Sequence, residues 1–361
     1  MFTTAGSAAS ASKRKGPLTT ILHRLVAMPS PSYWLWSKDT TCRHNLSIAW
    51  STVAFIVFVV VLWLLVSRLR PILSQDFWLP FLYMAGLLAC SRVFRFIHTR
   101  VREDINPIAN AMRIVCERSA LAIHASLFCF TLFAGVLVFS YLSASLGWPL
   151  RDSELAAVDK WMGFDWIEFL RITNSSSNIG YSLTLAYKST AVQMFLLSIF
   201  LSLAGKRERL SEVLALLAIT ALATVLINMA IPAAGAYAFY SPSREMFSHF
   251  SQLAGMWHYE VLLQLRTLPT PVLDFAKVEG LVTFPSFHTV LAIITTYGTR
   301  DHKYLFLPVA CLNAAVIVST LPEGGHHLID VIAGVAIAVG SIVLLPTLRM
   351  SSKRKISWTL F

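Results

Sequence analysis

Two polar words that carry histidine stand out in this apolar chain: Phe284-Pro285-Ser286-Phe287-His288-Thr289 and Gly324-Gly325-His326-His327-Leu328-Ile329-Asp330. Each abuts a stretch apolar enough to span a membrane, where an ionisable group is costly unless it is paired or solvated. An imidazole followed by a carboxylate in the spacing His326-x-x-x-Asp330 is therefore a candidate site. On a helix, positions i and i+4 share a face. Asp330 can then accept a hydrogen bond from one nitrogen of His326 and leave the other as a nucleophile. His288 would give or take a proton at the departing oxygen. Two readings compete with this one. His326, His327 and Asp330 could hold a metal with His288, although adjacent helical residues point about 100° apart, a poor geometry for shared ligation. Alternatively, the histidines are inert boundary residues.

Composition indicates what must position these words. Hydrophobic residues make up 56% of the chain and charged residues 14%, and mean hydropathy is +0.63. These values suit a polytopic membrane protein rather than a soluble domain. The expected fold is all-α, an integral membrane helical bundle of about eight transmembrane helices. The clearest spans are 47–67, 119–143, 184–204, 211–231 and 327–347, each near the 20 or so residues that cross roughly 30 Å of hydrocarbon. The stretches 77–92, 286–299 and 304–320 are shorter, so any one alone could be a buried or re-entrant helix, and a six-span arrangement without 286–299 and 304–320 would leave the termini on the same sides. The expected organisation is a basic cytoplasmic segment at 1–46, two spans and a basic loop at 47–118, a membrane core at 119–347 and a basic cytoplasmic tail at 348–361.

The net charge of +11 does not point to nucleic acid, because the basic residues fall in short clusters between apolar runs. A cytoplasmic N-terminus with Lys13, Arg14, Lys15, Arg24, Lys38 and Arg43 puts Arg92 to Arg118, Lys206 to Arg209, Arg300 to Lys303 and the tail with Arg349, Lys353, Arg354 and Lys355 on the same side. Arg68 and Arg70 are the exceptions. Segments 68–76, 144–183, 232–285 and 321–326 then face outward. His288 and His326 enter their spans from that one face, at helix starts whose free N–H groups favour a phosphate. The five cysteines form no metal-binding or disulfide pattern. The Ser/Ala-rich basic opening lacks the apolar core of a cleaved signal peptide, so none is expected.

The word Pro285-Ser286-x-His288, followed by His326-x-x-x-Asp330, resembles the second and third signature motifs of the type 2 phosphatidic acid phosphatase superfamily, over roughly residues 150 to 345. The resemblance implies a six-helix catalytic core, His326 as a nucleophile that becomes a phosphohistidine, Asp330 as its orienting partner and His288 as the acid. It implies no metal and no other cofactor. The third motif usually opens with Ser-Arg, where this chain has Ser319-Thr320, and the first motif, Lys-x6-Arg-Pro, has no match. In this the chain is similar to the branch of inositol-phosphorylceramide and sphingomyelin synthases. The stretches Asp152 to Trp166 and Gly280 to Phe284 are similar to bacterial relatives associated with that branch. The implied function is a lipid phosphatase or phosphotransferase acting on a membrane lipid phosphate or phosphodiester, with water or a polar or lipid alcohol as acceptor. Alternatives are a prenyl pyrophosphate or phosphatidic acid phosphatase, or a transport or structural protein that keeps the motif. The expected location is a bacterial inner membrane, with the site on the periplasmic face.

A cation must replace the missing arginine. Arg266 is the first candidate to bind phosphate, with Lys277 and Arg244 behind it. Gly324 and Gly325 would let backbone approach the phosphate, or simply form a turn. Ser286 would donate to the phosphate or cap a helix. Glu323 is either a base for an acceptor hydroxyl or an ordinary surface carboxylate. His327 is expected against its neighbours or solvent, and His249 and His258 in loop packing or at the rim. Asp152, Glu154, Asp159 and Asp165 mixed with Trp148, Trp161, Phe164 and Trp166 read as an amphipathic helix lying at the interface, in preference to a role at the substrate headgroup. Tyr187, Ser189 and Gln193 read as polar glue between helices, or as pocket lining.

Overall fold

The computed structural model describes residues 40–71, 75–274 and 278–357. The basic N-terminal cluster through Lys38, Lys277 and the side chains of the basic tail lie outside the described residues. In chain order the helices are α1 (Thr40–Val66), α2 (Gln75–Arg100), α3 (Pro107–Ala144), α4 (Asp152–Trp161), α5 (Trp166–Thr173), α6 (Ser177–Leu203), α7 (Arg207–Ala230), α8 (Ala236–Tyr240), α9 (Tyr259–Thr267), α10 (Phe287–Gly298), α11 (Lys303–Ser319) and α12 (Leu328–Ser357). Six of these, α1, α2, α3, α6, α7 and α12, are long and apolar enough to cross a membrane, and α10 and α11 are shorter apolar helices. In hydrocarbon every backbone group must find its partner within the segment, which is why such runs fold as helices. The architecture is compatible with a multi-pass membrane protein.

The expected span boundaries shift at α3. Residues 92–118 read as one basic loop, yet α2 runs to Arg100 and α3 begins at Pro107. The start is set locally. Pro107 occupies the first helical position and the Asn106 side chain accepts the Ile108 N–H at 2.9 Å, a combination that satisfies an otherwise orphan donor. At about 1.5 Å per residue, α3 therefore reaches well beyond a bilayer's hydrocarbon.

Helix α7 is central, packing against α1, α3, α10 and α12. Its buried residues include Ser211, Ala215, Ala218, Thr220, Ala221 and Thr224, small side chains that let neighbouring backbones approach closely. Asn45 of α1 donates to Ser211 Oγ at 3.0 Å, and Asn313 of α11 donates to Thr296 Oγ1 of α10 at 3.1 Å. Helix α6 packs on α3 and α11, and α10 packs on α11 and α12.

The two ends of the bundle differ in chemistry. At one end Glu117 of α3 pairs with Arg207 of α7, Arg209 pairs with Asp301, and Arg300 pairs with Glu212 at 3.0 Å. This end gathers three of the basic segments that the charge distribution assigns to one side. At the other end Arg70–Pro71 and Val272–Leu273 form a short parallel pair. Arg70, an exception to the charge pattern, thereby joins the segment that leads into the first histidine word.

Candidate active site

The two histidine words meet through their backbones. The Ser286 N–H donates to the Asp330 carbonyl at 3.0 Å, which docks the start of α10 on the first turn of α12. Gly334, one turn further along α12, makes this possible. A Cβ there would lie 2.6 Å from the Ser286 carbonyl oxygen and 3.1 Å from Thr289 Cβ.

His326 is almost fully buried and Asp330 fully so, with His326 Nδ1 3.1 Å from Asp330 Oδ2. The expected contact is present, but its origin differs from the shared helical face read from the spacing. Helix α12 begins only at Leu328, so His326 precedes it. Asp330 stands at the third helical position and reaches back to accept the His327 N–H at 2.9 Å, the arrangement of a capping box. With Nδ1–H donating to Asp330, the His326 Nε2 lone pair is left for chemistry. The His326 backbone is held on both sides. Its N–H donates to the Thr320 carbonyl at 3.1 Å, and its carbonyl accepts the Trp166 indole N–H at 3.0 Å.

His288 lies in the first turn of α10 and stacks on Tyr187 of α6, with ring centroids 4.1 Å apart and planes 22° from parallel. Tyr187 also abuts the nucleophile word. A Cβ on Gly324 would fall 2.7 Å from the Tyr187 ring edge and 3.1 Å from His326 Cδ2. Tyr187 thus bridges the two histidine words. Of the polar trio on α6 it is the pocket residue, whereas Gln193 donates to Ser189 at 2.8 Å within the helix.

Several expectations change. Asp152, Asp159 and Trp166 are buried, not interfacial, while Trp148 and Trp161 are exposed. Asp159 accepts the Leu328 and Ile329 N–H groups at 2.8 and 2.9 Å, capping α12 from another helix. Asp152 accepts the Ala234 N–H at 2.9 Å and the Gly235 N–H at 2.7 Å. Glu323 is fully buried and not a surface carboxylate. Its Oε2 accepts from Thr184 Oγ1 at 2.9 Å and from the Ser251 N–H at 3.1 Å. His327 is also fully buried, against its neighbours rather than solvent.

Of the cations, Arg266 donates through Nη2 to the Trp148 carbonyl. Arg244 spends its guanidinium on the carbonyls of Phe247, Ser248, Phe250 and Ser251, which makes it a loop staple. Ser286 is the N-cap of α10, its Oγ accepting from Thr289 Oγ1 at 3.1 Å. Gly325 has a φ of +71°, and a Cβ there would meet Gly255 Cα at 2.6 Å. Both glycines of the second word are thus required by close packing within the protein. His249 is tied to Asn174, in loop packing as expected. His258 is buried, its Nε2 3.0 Å from the Ala234 carbonyl. Burial pushes its pKa down to about 4, so the ring is neutral near pH 7.

Fold and site together define a helical-bundle protein of membrane type, with a buried His-Asp pair and a second histidine one ring away. The family model of the PAP2 superfamily, the type 2 phosphatidic acid phosphatases, matches residues 153–344, more than half of the chain. The chain belongs to this superfamily. No curated protein and no solved structure matches it. Membership supports a function of lipid-phosphatase type. The sequence reading missed Asp152 and Asp159 as parts of the site. Their spacing of about two turns on one face of α4, close to the start of the matched region, was the available signal.

Proposed function

We propose that this protein is an integral-membrane lipid phosphatase or phosphotransferase that works through a phosphohistidine on His326. The observation that carries the reading is the buried His326 Nδ1 to Asp330 Oδ2 contact of 3.1 Å, set within a sequence of the matching superfamily. The polypeptide crosses the membrane eight times, with α10 and α11 as the two short spans beside the six long ones. The membrane core starts at about α3, and the site opens on the periplasmic face of a bacterial inner membrane.

His326 Nε2 attacks phosphorus while His288 protonates the leaving alkoxide, and Asp330 stabilises the imidazolium character that develops on His326. In the second step His288 takes a proton from the acceptor, and the acceptor oxygen displaces His326. Water as acceptor gives hydrolysis and an alcohol gives headgroup transfer. Ser286, Gly324 and Gly325 lie within the two words and line the phosphate position in this reading, and Arg266, which donates to the Trp148 carbonyl, is the cation assigned to it. The branch of inositol-phosphorylceramide and sphingomyelin synthases is favoured by Thr320, which stands where other members carry arginine. A phosphodiester bears one negative charge and needs less cationic compensation than a phosphomonoester.

The test is purified protein given phosphatidic acid, a prenyl pyrophosphate and phosphatidylinositol, each with and without inositol or ceramide. Release of inorganic phosphate, or of inositol phosphate from phosphatidylinositol, without an added alcohol identifies a hydrolase. A new lipid species that appears only with the alcohol identifies a transferase, and no turnover of any substrate contradicts the enzyme reading.

A further inference from the structure

The nucleophile word contains a second histidine that this chemistry leaves unused. His327 has no exposed surface. Its Nε2 lies 3.7 Å from Asp152 Oδ1 and its Nδ1 lies 3.6 Å from Asp159 Oδ2. These separations are too long for good hydrogen bonds and short enough for ion pairs. The two carboxylates sit on one face of α4, each engaged with a different piece of backbone: Asp152 with Ala234 and Gly235, and Asp159 with Leu328 and Ile329.

The surroundings favour a charged ring. Asp152 and Asp159 face it from α4, and Asp330 acts on it from α12. The rings of Phe239 and Tyr240 on α8 lie 6.1 Å away. Arg266 of α9 is within electrostatic reach of Asp152. Two buried carboxylates brought this close repel each other unless a cation stands between them, and His327 occupies that place.

We propose that His327 is a positioning residue: an imidazolium clamped between Asp152 and Asp159 that fixes the backbone on both sides of His326 and so sets its line of attack. The connections run in both directions along the chain. Asp159 holds the first N–H groups of α12, just after the histidine pair. Asp152 holds the turn at Ala234 and Gly235, and the next residue, Ala236, donates its N–H to the Gly325 carbonyl at 2.8 Å, just before His326. Both flanks of the nucleophile are thereby referenced to α4 through two carboxylates that face one ring.

Charge makes the clamp sensitive to alkali. Burial opposes protonation of His327, but Asp152, Asp159 and Asp330 outweigh it and raise its pKa to about 9. The raised value favours the folded site fully below the ordinary histidine range, near pH 6.5, and that contribution is lost as pH rises through about 9. The inference rests on His326 being the nucleophile, and the experiment separates the two.

The test measures phosphohistidine trapping and turnover between pH 6 and 10.5 for the wild type, His327→Gln, His327→Arg and Asp152→Asn. The substrates are phosphatidic acid, a prenyl pyrophosphate and phosphatidylinositol radiolabelled on phosphorus. The expected wild-type kcat falls above pH 9 with little change in KM. His327→Gln loses about a hundredfold in kcat and lacks the inflection near pH 9, keeping only the descent set by His288 as general acid, whereas His327→Arg retains activity to higher pH than the wild type. Should His327→Gln fail to fold, Asp152→Asn decides, because loss of one carboxylate moves the alkaline limb down by about a pH unit or more. An alkaline limb unchanged in Asp152→Asn, or wild-type kcat in His327→Gln, overturns the proposal. A wild-type protein that traps no label on His326 from any substrate instead overturns the nucleophile reading beneath it.

Discussion

The backbone N–H of Ser286 donates to the backbone carbonyl of Asp330 at 3.0 Å, so the capping residue of one histidine helix is bonded to the carboxylate residue of the other. This contact fixes the phase of α10 against α12. It brings the word of His288, two residues along from Ser286, against that of His326, held by the Asp330 side chain, with Tyr187 touching both words.

Asp330 orients His326 and accepts the His327 N–H through the same oxygen. Asp330→Asn keeps the shape but loses the charge that favours the Nδ1–H tautomer and stabilises the imidazolium form. Turnover is expected to fall by about 10²–10⁴-fold with KM little changed. A loss of less than tenfold in steady-state assays counts against the orienting role.

Tyr187 supports His288 by stacking at 4.1 Å. Tyr187→Phe retains the ring and is expected to remain within a few-fold of wild-type turnover. Tyr187→Leu removes the stack, with about 0.5–1.5 kcal/mol of the pair's interaction and about a tenfold fall in kcat. Equal activity for the two variants is the result that rejects this role.

Gly334 lets α12 approach the Ser286 carbonyl, since a Cβ would sit 2.6 Å from that oxygen. Gly334→Ala must force the two helix starts apart, at a cost of about 1–3 kcal/mol. The measurement is the thermal midpoint in detergent, together with activity. A midpoint at or above wild type with full turnover contradicts the close docking.

The topology has its own test. In a background without the exposed Cys90 and Cys311, Thr270→Cys and Lys303→Cys are expected to react with an impermeant thiol reagent from opposite sides of the membrane. Labelling from the same side rejects the eight-span arrangement.

Much of this was readable from sequence for physical reasons. Long apolar runs can satisfy their backbones only as helices, and the basic clusters at Arg207, Arg209 and Arg300 do gather at one end of the bundle. His326 and Asp330 were readable because they are near neighbours in the chain, although their contact arises from a capping box and not from a shared helical face. Asp152 and Asp159 were misread because an amphipathic helix on a membrane surface and one that caps a buried site share one charge pattern. Only the distant Ala234 and Leu328 N–H groups distinguish the two. Glu323 looked like a surface acid for the same reason: its partners Thr184 and Ser251 are remote in sequence. The residue expected to replace the missing arginine was hardest of all, since Arg244 is spent on backbone carbonyls and Arg266 engages Trp148.

The most direct test of the central claim is identification of the residue that carries phosphorus during turnover. The wild type is quenched in alkali with a phosphorus-labelled substrate, digested and sequenced by mass spectrometry. The expected result is label on His326 alone, with none trapped and no turnover in His326→Ala. Label on any other residue, or a turning-over His326→Ala variant, contradicts the account.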